Sequence, residues 1–413
     1  MFIYLNSFDI DDKIIVCGLS DVGEGGAKVI DIESKEIIAH LDHRVPHFSQ
    51  LLNFQKFPVH NVHVTKHWII TISGVETTHN SSISDSYRAH IWDRRNYTVA
   101  LILPLKEFVK SRGGSPSRGV WSVDATEVDE NLVLAVTVGP PSYTLLGYLC
   151  QADVENMIDT HVIFKIPFRN LREETSKEKQ FEFTDSASES IESDSIEYIQ
   201  FMELPKGNPQ CIWLVLDNKY CVTFAADATV TVNDLDNQTE KLELKQVAQR
   251  VFYDYRDKND GIYGENVMFP RSVSVSAPLI AFFEHDAYNN QLWDVQRDGE
   301  VDMKISIWHM FSGDKLRTFP MDKADILLKI KLKNNVLLTS LQRPKEPKDS
   351  SKSIQLRIHN IESGESKSIW RPYKPGAPCQ YRVGKIFALN LFSIVECYED
   401  TLTFINFVEY DYE

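Results

Sequence analysis

The stretch RAHIWDRRNYTVALIL, residues 88–103, contains two short runs in which apolar residues recur at every second position. The first run ends at Trp92-Asp93, and a polar segment, residues 94–96, separates it from the second run. A period of two residues is typical of β-strands, and a short polar segment between two such runs is typical of a turn. The stretch therefore predicts a β-hairpin whose first strand ends in an aromatic residue followed by a carboxylate.

Six further segments repeat this arrangement of strand, Trp-like position, Asp-like position, turn and strand. Their first strands end at Ile30-Asp31, Phe164-Lys165, Asn233-Asp234, Trp308-His309, His359-Asn360 and Ile405-Asn406. A second apolar strand precedes each copy, as KIIVCGL (13–19), HWIITISG (67–74), LVLAVTVG (132–139), IWLVLDN (212–218), LIAFFEH (279–285), VLLTSLQ (336–342) and FSIVECYE (392–399). Recurrence along the whole chain indicates a repeat fold built from small sheets.

This repeat resembles the WD40 β-propeller family over essentially the whole chain. Only Trp92-Asp93 is an intact Trp-Asp pair at this position, and the family's Gly-His pair does not occur in the sequence. The resemblance implies an all-β fold, a seven-bladed WD40-like β-propeller that forms a single domain over residues 1–413. The positions that it marks as structural are Asp31, Trp92, Asp93, Asp234 and Trp308. Kelch-like blades or a pair of β-sandwiches are the alternatives, but a closed ring leaves only short sheet edges.

Composition excludes several classes of partner. The 413 residues include 44 Lys and Arg against 59 Asp and Glu, which gives a net charge of −15 and disfavours binding to nucleic acid or to an anionic membrane. The sequence has no apolar run long enough to span a membrane and no evident signal peptide. Six cysteines without a Cys-x-x-Cys pair favour a reduced compartment, so we expect a cytoplasmic or nuclear protein.

The predicted connections differ in length between the two ends of the sheets. In a four-stranded meander, the connection from the second to the third strand lies at the same end as the connection to the next sheet. Long connections of these two kinds are predicted at 75–87, 139–160, 286–303, 342–353, 42–60, 106–119 and 245–270. Turns of the other two kinds, such as VDEN and ESKE, are short. Because loops on rigid scaffolds often carry binding residues, we expect one interaction face, with neutral insertion as the alternative.

Aromatic and arginine side chains stand out in these long connections. The candidate partner-binding residues are Tyr253, Tyr255, Arg256, Tyr263, Trp293, Arg112 and Arg118. Aromatic residues and arginine are typical of the centres of protein interfaces. The alternative is that the rings pack down onto the edges of the blades. A further segment at about 172–197 is acidic and rich in serine, which predicts a mobile loop that could be phosphorylated.

No motif in the sequence indicates catalysis. Two histidine runs, His40/His43/His47 and His60/His63/His67, have a spacing seen in metal sites, but residues three apart on a strand point to opposite faces. We therefore expect loop and edge histidines, with no metal and no cofactor. The sequence contains neither a phosphate-binding glycine loop nor a nucleophile elbow.

Taken together, these patterns predict a non-catalytic scaffold or adaptor for protein–protein interactions in a multiprotein complex. The alternative within the same class is a substrate-receptor propeller of a ubiquitin ligase, which would bind ligase subunits, although no F-box is visible in this chain. The alternative from another class is an enzyme or a small-ligand site in the central channel. Carboxylates or histidines that converge at the mouth of the channel would favour that second alternative.

Overall fold

The computed structural model of the protein describes most of the predicted strands. The described residues are 5–19, 26–43, 59–73, 88–104, 119–139, 160–173, 200–203, 211–225, 230–235, 239–244, 273–285, 303–322, 326–343, 353–371, 386–389, 393–398 and 401–406. They form β-strands and one short helix, α1 (Phe168–Glu173). The prediction of an all-β protein is therefore confirmed. No helix in the described part of the chain is long and apolar enough to cross a membrane.

The described strands form seven small sheets, four of which lie in one compact unit. Sheet 1 contains β1 (Leu5–Ile10), β2 (Ile14–Leu19), β3 (Gly26–Asp31) and β4 (Ile37–Leu41); sheet 2 contains β5 (Val59–Val64), β6 (Trp68–Ser73), β7 (Arg88–Asp93) and β8 (Thr98–Pro104); sheet 3 contains β9 (Gly119–Val128), β10 (Asn131–Gly139), β11 (Thr160–Pro167) and β12 (Gln200–Glu203); sheet 7 contains β25 (Ile386–Leu389), β26 (Ser393–Tyr398) and β27 (Thr401–Asn406).

The second compact unit contains the other three sheets. Sheet 4 contains β13 (Cys211–Asp217), β14 (Tyr220–Ala225), β15 (Val230–Asp234) and β16 (Thr239–Leu244); sheet 5 contains β17 (Val273–Ser276), β18 (Leu279–His285), β19 (Met303–His309) and β20 (Lys315–Pro320); sheet 6 contains β21 (Ile326–Lys333), β22 (Val336–Arg343), β23 (Ser353–Asn360) and β24 (Ser366–Arg371). In every sheet of both units, strands that follow one another along the chain are neighbours.

The sequence repeat corresponds to one strand of each sheet. Six of the seven Asp-like positions end a third strand, whereas Lys165 lies two residues before the end of β11; six of the seven preceding segments are second strands. The assignment of IWLVLDN (212–218) is wrong, because it forms β13, the first strand of sheet 4, and β14 follows it. The turn between them has only two residues, and Asn218 adopts a left-handed φ of 50° there, so no glycine marks it.

Third strands end in a recurring turn that explains the Asp-like position. In sheet 1, the N–H of Lys35 donates to the carbonyl oxygen of Asp31 (2.9 Å), and the N–H of Ser34 donates to the Asp31 carboxylate (2.7 Å). Asp93, His309 and Asn360 each accept a main-chain N–H at the carbonyl oxygen and another at the side chain. Asp, Asn and His all offer a side-chain acceptor close to the backbone, so each of them can cap this turn.

Each sheet in the middle of a unit buries both faces. In sheet 2, Ile69 and Trp92 pack with residues of sheet 1, whereas Trp68 and Ile70 pack with residues of sheet 3. Sheet 5 divides its residues in the same way between sheets 4 and 6. A strand that is buried on both faces has no polar side to show, which explains why the second strands are nearly continuous apolar runs.

Polar side chains of the first strands join neighbouring sheets within each unit. The Asp9 carboxylate of β1 accepts the N–H of Val64 in β5 (2.8 Å). In the second unit, the Ser274 hydroxyl of β17 accepts the N–H of Leu332 in β21 (2.8 Å), and the Asp217 carboxylate accepts the N–H of Ala277. Each of these bonds fixes the register of one sheet against the next.

Candidate functional site

The residues predicted to bind partners all lie outside the described residues. These residues are Arg112, Arg118, Tyr253, Tyr255, Arg256, Tyr263 and Trp293. The strands that flank them are described: β8 and β9, β16 and β17, and β18 and β19. Two of these pairs lie on either side of a connection between sheets, and the third pair, β18 and β19, lies on either side of a connection from a second to a third strand. The interaction role of these side chains stays a prediction.

The five positions marked as structural all lie on third strands. Trp92, Asp93 and Asp234 are buried, with 4%, 2% and 0% of each residue exposed. Asp31 and Trp308 are half-buried. The carboxylate of Asp234 lies 3.5 Å from the Lys219 ammonium, and Asp93 is paired with Arg95 at 2.5 Å. Hydrogen bonds from Arg95 hold the pKa of Asp93 below its usual value.

A buried chain of hydrogen bonds lies where sheets 1 and 2 meet. The indole Nε1 of Trp92 donates to the hydroxyl oxygen of Thr71 (2.8 Å). The same oxygen lies 2.8 Å from Nε2 of His43, a residue that follows β4 and is completely buried. The chain therefore connects the second and third strands of sheet 2 to the end of sheet 1, although the sequence has no Gly-His pair.

A second buried histidine extends this cluster. The ring of His90 lies 4.1 Å from that of His43 and stacks on Trp92 at 5.9 Å, with 18° between the planes. Burial lowers the pKa of His43 to about 3. Burial, together with the neighbouring His43 and Arg88, holds the pKa of His90 well below its ordinary value. Both imidazoles are therefore neutral at physiological pH.

The cluster lies at the base of two long connections. His43 is the last described residue before the segment 44–58, while Ser73 and Arg88 flank the segment 74–87. Ser73 is buried, with 1% of the residue exposed. Burial lowers the pKa of Arg88 below its ordinary value. A neutral, hydrogen-bonded cluster therefore lies beside the described ends of both connections.

His43 lies outside the strands, after β4, as expected for a loop histidine, but it is completely buried. His63 and His67 make contacts between sheets. His63 Nδ1 lies 3.4 Å from the Asp124 carboxylate, and both the N–H and Nδ1 of His67 lie 2.6 Å from the Glu127 carboxylate. Sequence reasoning missed these roles because the partners are about 60 positions away along the chain. Among the described residues, no group of three or more His, Cys, Asp or Glu could hold a metal ion.

Sheet 6 repeats the hydrogen-bonded arrangement with a histidine at the Trp-like position. Nε2 of His359 lies 3.1 Å from the Thr339 hydroxyl, and its Nδ1 lies 2.7 Å from that of Ser366. Burial lowers the pKa of His359 to about 4. In sheet 5, Phe282 takes the place of the threonine, and the Trp308 Nε1 has no hydrogen-bond partner among the described residues.

No protein-family model matches the sequence, and no curated protein was found to be similar. Similar solved structures include the Neurospora crassa Pan2 WD40 domain (8% identity, TM-score 0.45, covering 97% of this chain and 88% of that chain) and U3-55K (9%, 0.46, 96% and 89%). A chain of the mitotic checkpoint complex is also similar (10%, 0.47, 98% and 89%). Identities and TM-scores this low carry no information about what the present chain binds.

The sheets themselves are similar to the blades of WD40-type β-propellers. Each is a meander of consecutive strands, and each has the Trp-Asp-like position on its third strand, at the end of that strand in every sheet except sheet 3. In sheet 2 this position is a buried Trp-Asp pair with a histidine and a threonine attached by hydrogen bonds.

Proposed function

We propose that the chain is a non-catalytic scaffold or adaptor that binds other proteins in a multiprotein complex. In this proposal the seven sheets close into a seven-bladed WD40-like β-propeller that forms a single domain. Partners bind at the end of the sheets where the second strand turns into the third and where the chain passes to the next sheet. Tyr253, Tyr255, Tyr263, Trp293 and their arginine neighbours provide the contacts.

The distribution of connection lengths carries this proposal. Every connection between a first and a second strand has two or three residues. By contrast, residues 74–87, 140–159 and 286–302 connect second to third strands, and residues 245–272 connect sheets 4 and 5. Surface insertions cost little stability, so their accumulation at one end calls for a reason such as binding.

One long connection departs from the expected pattern. The sequence predicts short connections between third and fourth strands. In sheet 3, however, this connection contains α1 and the acidic, serine-rich segment before it reaches β12. It therefore belongs to the end opposite the other long connections. We do not include it in the proposed binding face, since a segment of its composition repels acidic partners rather than packing against them.

Affinity purification with mass spectrometry tests the proposal. The tagged full-length chain is compared with a variant that carries Tyr253→Ala and Trp293→Ala. We expect the variant to lose its stoichiometric partners while its melting temperature stays nearly the same, because the proposal assigns both side chains to loops. A matched control is Phe311→Ala, which removes an aromatic ring that is 40% exposed in the third-to-fourth turn of sheet 5.

The outcomes separate the alternatives. Partners lost in the double variant and retained in Phe311→Ala support binding at the long-connection end. Ubiquitin-ligase subunits among the lost partners identify the adaptor as a substrate receptor. Unfolding of the double variant shows that the rings are structural, and the absence of any stoichiometric partner for the wild-type chain contradicts a scaffold function.

A further inference from the structure

The edge strand of sheet 1 exposes two neighbouring isoleucines. Ile37 and Ile38 of β4 are 49% and 45% exposed, although they lie within a strand. Among the described residues, β4 pairs only with β3, so its other edge has backbone N–H and C=O groups without strand partners. Exposed apolar side chains beside free backbone groups are the features that a further strand needs in order to pair.

Other edge strands carry the features that prevent such pairing. β20 contains Lys315 and Arg317 and ends in Pro320, and β24 contains Lys367. β8 ends in Pro104. Charged residues and proline on an edge are the usual protection against pairing with a foreign strand. The sequence of β4, IIAHL, contains neither a proline nor a Lys, Arg, Asp or Glu. Its pairing with β3 has a bulge at Ile38, but β8 and β20 have a bulge at the same place, so the bulge does not distinguish these edges.

The turn before β4 gives the free edge an acidic end. Glu33 and Glu36 are exposed there, and the Asp31 carboxylate is half-buried beside them. Lys35 is the only basic residue of this turn. In the adjacent sheet, Arg94 and Arg95 are each paired with a carboxylate at 2.5 Å, so they offset little of this charge.

We propose that the free edge of β4 is a docking site for an extended segment of a partner protein. The segment adds to sheet 1 as a fifth strand through main-chain hydrogen bonds. Its apolar side chains cover Ile37 and Ile38, and Lys or Arg residues at one end lie beside Glu33 and Glu36. For the proposed scaffold, this strand edge adds a second point of attachment that does not depend on Tyr253 or Trp293.

Peptide selection on the intact chain tests the proposal. A phage-displayed library of random ten-residue peptides is selected against the full-length protein, and binding of the selected peptides is measured by fluorescence anisotropy. We expect enrichment of Val, Ile and Thr at alternate positions with Lys or Arg at one end. Hydrogen exchange with the bound peptide should show new protection of backbone amides in residues 37–41.

Two matched lysine substitutions locate the site. Ile38→Lys places a charge on the free edge and should weaken peptide binding at least about tenfold, since a lysine there is the usual protection against pairing. Leu316→Lys changes a side chain of similar exposure, 49% against 45% for Ile38, on the edge strand β20, and should change binding less than about twofold. If Ile38→Lys fails to fold, Ile38→Thr replaces it, with a smaller loss expected.

Five results would overturn the proposal. The first four are failure to select any peptide, enrichment of acidic peptides, protection that lies outside residues 37–41, and equal loss in the two lysine variants. A fifth is a dimer of the wild-type chain in analytical ultracentrifugation that Ile38→Lys abolishes, which would make a second copy the occupant. Peptide binding by the Tyr253/Trp293 variant keeps this test independent of the proposed long-connection site.

Discussion

Trp92 and Trp308 occupy the same position on their third strands but differ in their surroundings. Trp92 is 4% exposed and donates a hydrogen bond to Thr71, whereas Trp308 is half-buried and its Nε1 has no partner among the described residues. We therefore expect Trp92→Ala to lower the free energy of unfolding by about 3–5 kcal/mol and Trp308→Ala by about 1–2 kcal/mol. Urea denaturation of the two variants measures the difference.

The corresponding phenylalanine variants separate the hydrogen bond from the packing. Trp92→Phe removes the indole N–H and should still cost about 1–3 kcal/mol, because the polar cluster below it loses a donor. Trp308→Phe should be nearly neutral. Equal losses for the two phenylalanine variants would show that the Thr71 hydrogen bond contributes nothing to stability.

The buried histidines make stability depend on pH. The pKa is about 3 for His43 and about 4 for His359 in the folded chain, below the ordinary value of 6.5. Below pH 6.5 the unfolded chain takes up protons that the folded chain does not. The free energy of unfolding therefore decreases as the pH is lowered. Each histidine should cost about 1.4 kcal/mol per pH unit, down to its folded pKa.

Chemical denaturation between pH 6.5 and pH 5 checks this expectation. The variant His359→Gln should lose its share of the slope, since glutamine does not titrate. Thr339→Val is the matched control, because it removes the hydrogen bond and keeps the histidine, and it should lower stability by a similar amount at every pH. If the free energy of unfolding of His359→Gln depended on pH as steeply as that of the wild-type chain, His359 would not contribute to the pH dependence.

At the residue scale, the sequence predicts which residues end the strands better than it predicts which side chains contact one another. Asp31, Asp93 and Asp234 are recognisable because each ends an alternating strand before a polar turn. The burial of His43 is not recognisable, because its neighbours Thr71 and His90 come from strands that lie 28 and more positions away.

At the scale of single elements, the third-to-fourth turns offer a comparison within one chain. The residue that donates back to the Asp-like carbonyl has a positive φ in four sheets: 62° at Lys35, 59° at Tyr97, 73° at Gly313 and 80° at Gly364. Left-handed backbone costs a residue with a side chain about 1 kcal/mol more than it costs glycine. We expect Lys35→Gly to raise the free energy of unfolding by about 0.5–1 kcal/mol and Gly364→Ala to lower it.

The pair of substitutions controls for unspecific effects of glycine. Both residues occupy the same place in the turn, so opposite signs in thermal or urea denaturation are expected. Gly364→Ala carries an additional cost, because a Cβ there would collide with the guanidinium of Arg317. Destabilisation by both changes would show that the conformation of this turn does not limit stability.

Six of the seven second strands were predictable from their nearly continuous apolar runs. The assignment failed at β13 and β14, where apolar strands meet through Asn218 and Lys219 alone. It also missed α1, whose six residues are too few to show a helical period.

At the scale of the whole molecule, neighbouring sheets within a unit share their cores and should lose structure together. A Cβ at Gly18 of β2 would lie 2.8 Å from Cγ1 of Val59 in β5, so the two sheets approach closely there. We expect Gly18→Ala to lower the free energy of unfolding by about 1–3 kcal/mol. Hydrogen exchange should show reduced protection in sheets 1 and 2 alike.

Val59→Ala tests the cause of this loss. Removing the methyl groups that face Gly18 should recover part of the stability of Gly18→Ala, so the double variant should lose less than the sum of the single losses. If the double variant instead loses as much stability as the two single variants together, the contact between residue 18 and Val59 is not the cause of the loss. Loss of protection confined to sheet 1 would contradict a shared core.

The class of fold was predictable from the whole sequence because the same hairpin recurs seven times. The residues that contact partners could not be obtained in this way. The candidate binding residues occur in single long connections that have no counterpart elsewhere in the chain, so repetition carries no information about them.

The hydrogen bonds that join the sheets determine which residues of such a chain can be substituted during evolution. Asp9, Asp217 and Ser274 each bind a main-chain N–H of the next sheet. A main-chain donor survives any substitution except one to proline, so each junction constrains the side chain of one partner only. Sequence can therefore drift in one sheet at a time while the geometry persists, and the signature residues of the repeat can disappear long before the architecture does.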